Sequence, residues 1–176
     1  PYTLQLKGYN QITLDNVLVG DVWVCSGQSN MELTMKRVRF KYKKEIAQAN
    51  NPYIRQFIVP QKYNFKVAQE DYEWGAWKDV NAKTILDFSA VAYFFANELF
   101  ATHRIPIGLV NASLGGSPAE AWMSEEALKP FPNHYLEAQK FKNDSLIWQI
   151  DQEDHHRIDS WYKEANFKDL GYKNGH

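Results

Sequence analysis

Cysteine is almost missing from this sequence. Cys25 is the only one in 176 residues, so an internal disulfide framework is excluded and the count leaves the redox compartment open. No apolar run reaches the roughly 18 residues that a membrane-spanning helix needs. An excess of one charge is missing too. The 20 basic and 21 acidic residues leave a net charge of −1, so no broad field favours nucleic acid or an anionic membrane surface. There is no initiator Met and no signal-like stretch, and the chain, opening on Pro1, reads as a mature or excised piece, which leaves a targeting peptide open. What is abundant is core-forming material. The sequence is 44% hydrophobic and 15% aromatic, with six Trp and ten Tyr. At this length it holds one domain with a full core, with room for an attached piece.

Residues 1–20 alternate apolar and polar positions (Tyr2, Leu4 and Leu6, then Ile12, Leu14 and Val17) around a turn at Gly8 and Asn10. This predicts a hairpin, the end of a preceding β domain. "DVWVCS" is short and continuously apolar, the pattern of a parallel strand buried on both faces. Residues 31–50 are rich in Lys and Arg with apolar Met35, Val38, Phe40 and Ile46, predicting a helix, or a helix with a loop, solvated on one side. The basic residues between Lys36 and Lys44 read as its solvated face. "NPYIRQFIVP" is a second strand. Residues 61–87 show no period, and Trp74 and Trp77 suggest a packed loop.

"FSAVAYFFANELFATH" predicts a helix capped by Ser89, with Val91, Phe94, Phe95 and Leu99 on one face. "IPIGLVNAS" is a third strand. Strands and helices alternating at these lengths predict a parallel α/β sheet with right-handed crossovers. The character changes after residue 128. Residues 134–170 are polar and aromatic, a peripheral helix or the start of an inserted segment. The expected division is 1–20, 21–128 and 129–176.

Two glycine-bearing corners carry the chemistry. In "CSGQSN", Ser29 stands just past a buried strand and at a helix start. Its hydroxyl would point from the carboxyl edge of the sheet, where open α/β folds bind ligands. Its own N–H would face a developing negative charge. The same residues also make a good cap and turn, so the motif alone leaves both readings open. In "NASLGGSPAEAW", Ser117, Pro118 and Glu120 form a capping-box pattern with proline at the first helical position. Gly115 and Gly116 then lie in the strand-to-helix turn with amides able to donate, although two glycines also simply make a tight turn. Both corners follow parallel strands and are expected along the same carboxyl edge. A serine on one and amides on the other would place a nucleophile opposite an oxyanion hole.

"NVLVGDVWVCSGQSNMEL", "FSAVAYFFANEL" and "IPIGLVNASLGGSPAEAWMS", in this order and spacing over residues 1–128, resemble the sialate O-acetylesterase family, a carbohydrate-esterase branch of the SGNH (GDSL-like) hydrolases. The resemblance implies a three-layer α/β/α, flavodoxin-like parallel sheet, incomplete here and preceded by the short β-hairpin. It implies Ser29 as the nucleophile on an acetyl ester. Gly115 or Gly116 is implied to supply an oxyanion-hole amide beside that of Ser29. It implies no metal and no cofactor. The substrate class is an acetylated sugar, sialic acid or another glycan, and the expected location is periplasmic or secreted.

A serine esterase also needs a histidine base, usually oriented by a carboxylate. The family carries these as a D-x-x-H pair, with a W-Y-Q-G-E-x-N-like segment whose Asn completes the oxyanion hole. Neither occurs here, and no Asp stands three residues before His103, His134, His155, His156 or His176. Glu153 and His156 imitate the pair at E-x-x-H spacing, but equally read as a solvated helix face. The acid–base half is expected from the remainder of the same polypeptide or from a second one, and the chain alone should be nearly inactive.

Gln28 and Asn30 flank the serine and either fix the turn or touch substrate. Cys25, inside a strand, reads as a small core side chain. Trp23 and Trp122 read as packing rather than sugar platforms. The Asp and His residues of 144–159 lack metal-ligand spacing. Two other readings stay open: an acetylxylan-type esterase, and a noncatalytic carbohydrate-binding or scaffold domain.

Overall fold

A computed structural model describes residues 1–173 and divides the chain into two units. The first joins Pro1–Lys62 to Glu70–Pro118; the second joins Tyr63–Gln69 to the chain from Ala119 onward. His176, and with it the end of the expected 129–176 segment, lies outside the described residues.

In the first unit, β1 (Tyr2–Lys7) and β2 (Gln11–Val17) pair antiparallel, closed by a tight turn in which the Gly8 amide donates to the Asn10 carbonyl. The predicted alternation is present, yet β1 is exposed along its whole length and β2 up to Val17. A bare two-stranded ribbon is marginal by itself. One tie fixes it to the sheet: the Arg55 guanidinium donates to the backbone carbonyl and the side-chain oxygen of Asn16, both at 2.7 Å.

The main sheet holds β3 (Asp21–Gly27), β4 (Asn51–Ile58), β5 (Trp77–Val80) and β6 (Ile107–Ser113) in the order β3-β6-β4-β5. β3, β6 and β4 run parallel, and β5 runs antiparallel to β4. The parallel α/β sheet with an N-terminal hairpin is therefore as the sequence predicts. β5 falls in the stretch read as a loop. Four residues with a Lys and an Asp carry no period, and it is the β4 edge that makes them a strand.

The core lies on one face of the sheet. Ile54 and Gln56 of β4 and Ile107, Leu109 and Asn111 of β6 point into it, together with Met35, Ile85 and Phe88. β3 corrects the expectation of a strand buried on both faces. Of its residues only Cys25 is buried, while Val22 and Val24 are 63% and 72% exposed, because β3 is an edge among the described residues.

α3 (Ala90–His103) packs on the core face, and Ser89 caps it by accepting from the Ala92 amide at 3.3 Å. The buried stripe is Ala90, Ala92, Tyr93 and Ala96. Val91 and Phe95, assigned to the buried face by periodicity, are exposed. A helix apolar nearly all round has no single periodic face, and alanines let its backbone approach the sheet closely. Phe95 still meets Trp23 edge-on, with ring centres 5.1 Å apart. The basic stretch before β4 forms two short helices, α1 (Ser29–Glu32) and α2 (Lys43–Ala47), with turns between; Met35 is fully buried, and Phe40 points outward.

The second unit is helical. α4 (Glu125–Leu128), α5 (Pro132–Lys140), α6 (Asp144–Lys168) and α7 (Leu170–Lys173) follow one another, with Ser124 and Asn143 as side-chain caps of α4 and α6. Leu128 is its one buried side chain among the described residues. Surface ion pairs link its parts, Lys66 to Asp144 and Lys142 to Glu125, both at 2.6 Å. Among the described residues no helix is long and apolar enough to cross a membrane.

Candidate active site at two strand ends

β3 and β6 are neighbours in parallel register, with Gly27 opposite Ser113, so the chain leaves both strands at the same carboxyl edge. That brings the two glycine corners side by side. Ser29 is the first residue of α1, a single turn preceded by Gln28 in extended conformation. The segment after it is stitched to the start of α3. The Ala90 amide donates to the Leu33 carbonyl at 2.8 Å, and the Met35 amide to the Phe88 carbonyl at 2.9 Å. Buried Ser89 adds a hydroxyl bond to the Met31 carbonyl at 2.6 Å, so the capping residue of one helix also anchors the turn that bears Ser29.

The second corner is Leu114–Gly115–Gly116–Ser117. Gly115 lies directly against the first corner. A Cβ added there would stand 3.5 Å from Ser29 Cβ, 3.6 Å from Ser29 Cα and only 2.7 Å from Glu32 Oε2, so a side chain there would have to displace the Glu32 carboxylate. Gly116 has φ +79°, the left-handed region where glycine is at ease. Pro118 precedes a 3₁₀ turn at Ala119–Trp122, where the sequence predicted a helical start.

Three cross-links hold the corners in register. The Leu114 amide donates to the Gly27 carbonyl at 3.0 Å. The Gly115 amide donates to Glu32 Oε2 at 2.7 Å. Gln28 Nε2 donates to the Ser117 carbonyl. Gln28 therefore ties the turn. Asn30 is exposed beside Ser29. Gln61 supports the arrangement from outside, its amide nitrogen 3.2 Å from both Glu32 Oε1 and the Ser113 carbonyl.

Against this lattice of bonds, three groups have no partner among the described residues: the Ser29 hydroxyl, the Ser29 amide and the Gly116 amide. Ser29 is exposed. A free hydroxyl with donors on adjoining rigid corners suits attack on a carbonyl whose oxygen gathers negative charge. Preorganised amides cost no reorganisation when that charge forms.

The other candidates are placed as follows. Cys25 is buried, its thiol directed at the Trp23 carbonyl 3.9 Å away, and burial pushes the thiol pKa up, away from the reactive thiolate. His155 and His156 lie on α6 in the second unit, both exposed. His155 Nδ1 sits 2.7 Å from the Asp151 carbonyl; that bond, then the Asp151 charge, raises its pKa. His134 pairs with Glu120 at 3.0 Å in the same unit. Among the described residues no group of three or more His, Cys, Asp or Glu is placed to hold a metal ion.

Sequence reasoning missed Glu32 and Gln61. Glu32 stands three residues after Ser29 in "SNME", a spacing that puts both on one turn of helix, and that signal was available. Gln61 lies in an aperiodic stretch and gave none.

Comparison with known proteins gives the family. Residues 19–169 match the family described as "Carbohydrate esterase, sialic acid-specific acetylesterase". The chain is similar to sialate O-acetylesterase of Rattus norvegicus, 37% identical over 125 residues covering 67% of this chain and 23% of the rat protein. It is also similar to that of Homo sapiens, 32% identical over 127 residues covering 67% of this chain and 24% of the human one. A solved structure, a carbohydrate acetylesterase from Xanthomonas citri, superposes with a TM-score of 0.67 at 39% identity, over 73% of this chain and 29% of that one. The chain thus spans about a quarter of the length of the curated relatives it matches. It belongs to the sialic acid-specific acetylesterase family of carbohydrate esterases.

Proposed function

We propose that this chain is the nucleophile-bearing part of a carbohydrate O-acetylesterase acting on acetyl esters of sugars, with sialic acid O-acetyl groups as the first substrate class. One observation carries the reading. An unbonded serine hydroxyl sits on a strand-end corner that is bonded at three points to a second, glycine corner with a free amide.

In the proposed reaction Ser29 Oγ attacks the acetyl carbonyl carbon while a base removes its proton. The amide of Ser29 and that of Gly116 or Gly115 donate to the oxyanion of the tetrahedral intermediate. Collapse breaks the bond to the sugar oxygen, which takes the proton and leaves as the free alcohol. Water then attacks the acetyl-enzyme, and acetate and the free serine are restored. Gln28 and Asn30 line the mouth of the corner on the substrate side. The His base and its Asp come from polypeptide outside residues 1–176, the remainder of the same protein. Residues 1–20 are then the end of a preceding β domain, 21–128 the first part of the catalytic domain, and 129–176 the start of an inserted segment. Export to a periplasmic or extracellular space suits such a substrate.

A second reading, a noncatalytic carbohydrate-binding or scaffold domain, draws on one observation: Ser29 has no histidine partner among the described residues. An acetylxylan-type esterase shares the chemistry and differs only in the sugar.

The test is hydrolysis of a chromogenic acetate, and of O-acetylated sialic acid, by the complete polypeptide. Ser29→Ala should lower turnover by at least about three orders of magnitude. An alanine variant at full rate would overturn Ser29 as the nucleophile, whereas no hydrolysis by the complete polypeptide would sink the esterase reading and leave the binding domain.

A further inference from the structure

The second corner has an unusual distribution of hydrogen bonds, and Glu32 is at its centre. The peptide unit between Leu114 and Gly115 is held at both ends. Its N–H donates to Glu32 Oε2 at 2.7 Å, and its carbonyl accepts from the Ser117 hydroxyl at 2.7 Å. The residue after the corner is held too, since the Ser117 carbonyl accepts from Gln28 Nε2. Between these two fixed units lies the peptide joining Gly115 to Gly116. Its N–H has no acceptor among the described residues. The turn at Gly116, with φ +79°, sets its direction.

We propose that Glu32 is a positioning residue for the ester hydrolysis proposed above, on which this inference rests. By occupying the Gly115 amide, it locks the corner so that the Gly116 amide is the donor offered to the oxyanion.

Two physical points support this. First, an amide already bonded to a carboxylate is a poor donor to a second anion, which would have to displace or crowd the first; the Gly115 amide is therefore the wrong choice and the Gly116 amide the right one. Secondly, electrostatic stabilisation of an oxyanion depends on donors that do not reorganise during the reaction. A flexible Leu-Gly-Gly turn would reorganise freely, since glycine loses more conformational freedom on ordering than any other residue. Glu32 is suited to preventing that. It is half-buried, it belongs to the same helical turn as Ser29, and Gln61 Nε2 holds its other oxygen at 3.2 Å. The nucleophile and the oxyanion donor are thus set by one element, and a shift of α1 would move both together.

The chemistry predicts different behaviour for two substitutions. Glu32→Gln keeps an acceptor for the Gly115 amide and gives up only the bond from Gln61, whose amide nitrogen stays on the Ser113 carbonyl. Glu32→Ala removes the acceptor. In the complete polypeptide, Glu32→Ala should lower kcat by about tenfold or more with KM within about threefold, because the loss falls on transition-state stabilisation. Glu32→Gln should recover most of that loss. With 15N-glycine labelling, the Gly115 amide proton should resonate downfield in the parent and move upfield in Glu32→Ala, while Glu32→Gln keeps most of the shift.

The proposal is overturned if kcat of Glu32→Ala stays within about twofold of the parent, or if Glu32→Gln falls as far as Glu32→Ala. A Gly115 amide proton that is not shifted downfield in the parent overturns it as well, whether or not Glu32→Ala folds. No ester hydrolysis by the complete polypeptide would take down the esterase reading and this one together, and turnover retained in Ser29→Ala would remove the site that Glu32 is proposed to position. A failed resonance test removes the clamp alone.

Discussion

The two units of the chain hold together by different means. The first buries a continuous core, from Cys25 and Met35 through Ile54 and Phe88 to Leu109, and spends its polar bonds joining loops across the end of the sheet. In the second, the 25-residue helix α6 buries none of its side chains, and Trp148, Trp161 and Phe167 all lie on its exposed surface. Its contacts include capping bonds and exposed ion pairs, which contribute little each, and ring contacts such as Phe65 with Phe141 at 5.3 Å. Precision of placement follows burial. A nucleophile and its oxyanion donors need sub-ångström placement, and the corner that offers this rests on the buried unit.

Substitutions separate the two regimes most strongly. Phe88→Ala, in the core, should cost about 3–5 kcal/mol in chemical denaturation. Trp161→Ala, on α6, should change stability by no more than about 0.5 kcal/mol. Equal costs would break the contrast.

The next largest effect is at the corners themselves. Gly115→Ala places a methyl 2.7 Å from Glu32 Oε2 and must push the carboxylate off the amide, so activity of the complete polypeptide should fall about tenfold or more. Gly116→Ala meets nothing within 4 Å; its cost is the left-handed φ, about 1 kcal/mol read in a melt. Hydrogen exchange sharpens the same contrast along the backbone. Amides of α3 should exchange roughly a hundredfold more slowly than those of α6, because opening α3 exposes core.

The smallest effect is one of pH. Hydrogen bonds from Lys142 and then Gln139 hold the Glu125 carboxyl below its ordinary value. A carboxylate lowered on folding stabilises fully above its unfolded pKa, and the contribution fades as pH falls through the folded one. Acidification below the ordinary carboxylate range should therefore loosen α4 and α5 slightly, and Glu125→Gln should remove that slope in helical circular dichroism.

Much of the first unit was legible in the sequence, and the reasons are local. Continuous apolar runs marked β3 and β6, Ser89 marked the start of α3, and glycine after each strand marked both corners. Strand direction puts both corners at the same edge of the sheet, and the pairing of β3 with β6 makes them neighbours. The exposed face of β3 was not legible, because an apolar run states what a strand can bury and not what covers it. The buried stripe of α3 was misread, since small alanines carry the contact and large aromatics catch the eye. β5 depends on its partner and has no pattern of its own. At the site, Ser29, Gly115 and Gly116 stood out as residue types, whereas the engagement of the Gly115 amide by Glu32 is a tertiary contact over 83 residues of chain.

The most direct test of the nucleophile is to trap it. The complete polypeptide, mixed with an acetyl ester, quenched in acid during turnover and digested, should show one acetyl group on the peptide that contains Ser29, and none in Ser29→Ala. An acetyl group on another residue, or unchanged turnover in the alanine variant, would contradict the assignment of Ser29 as the residue that attacks.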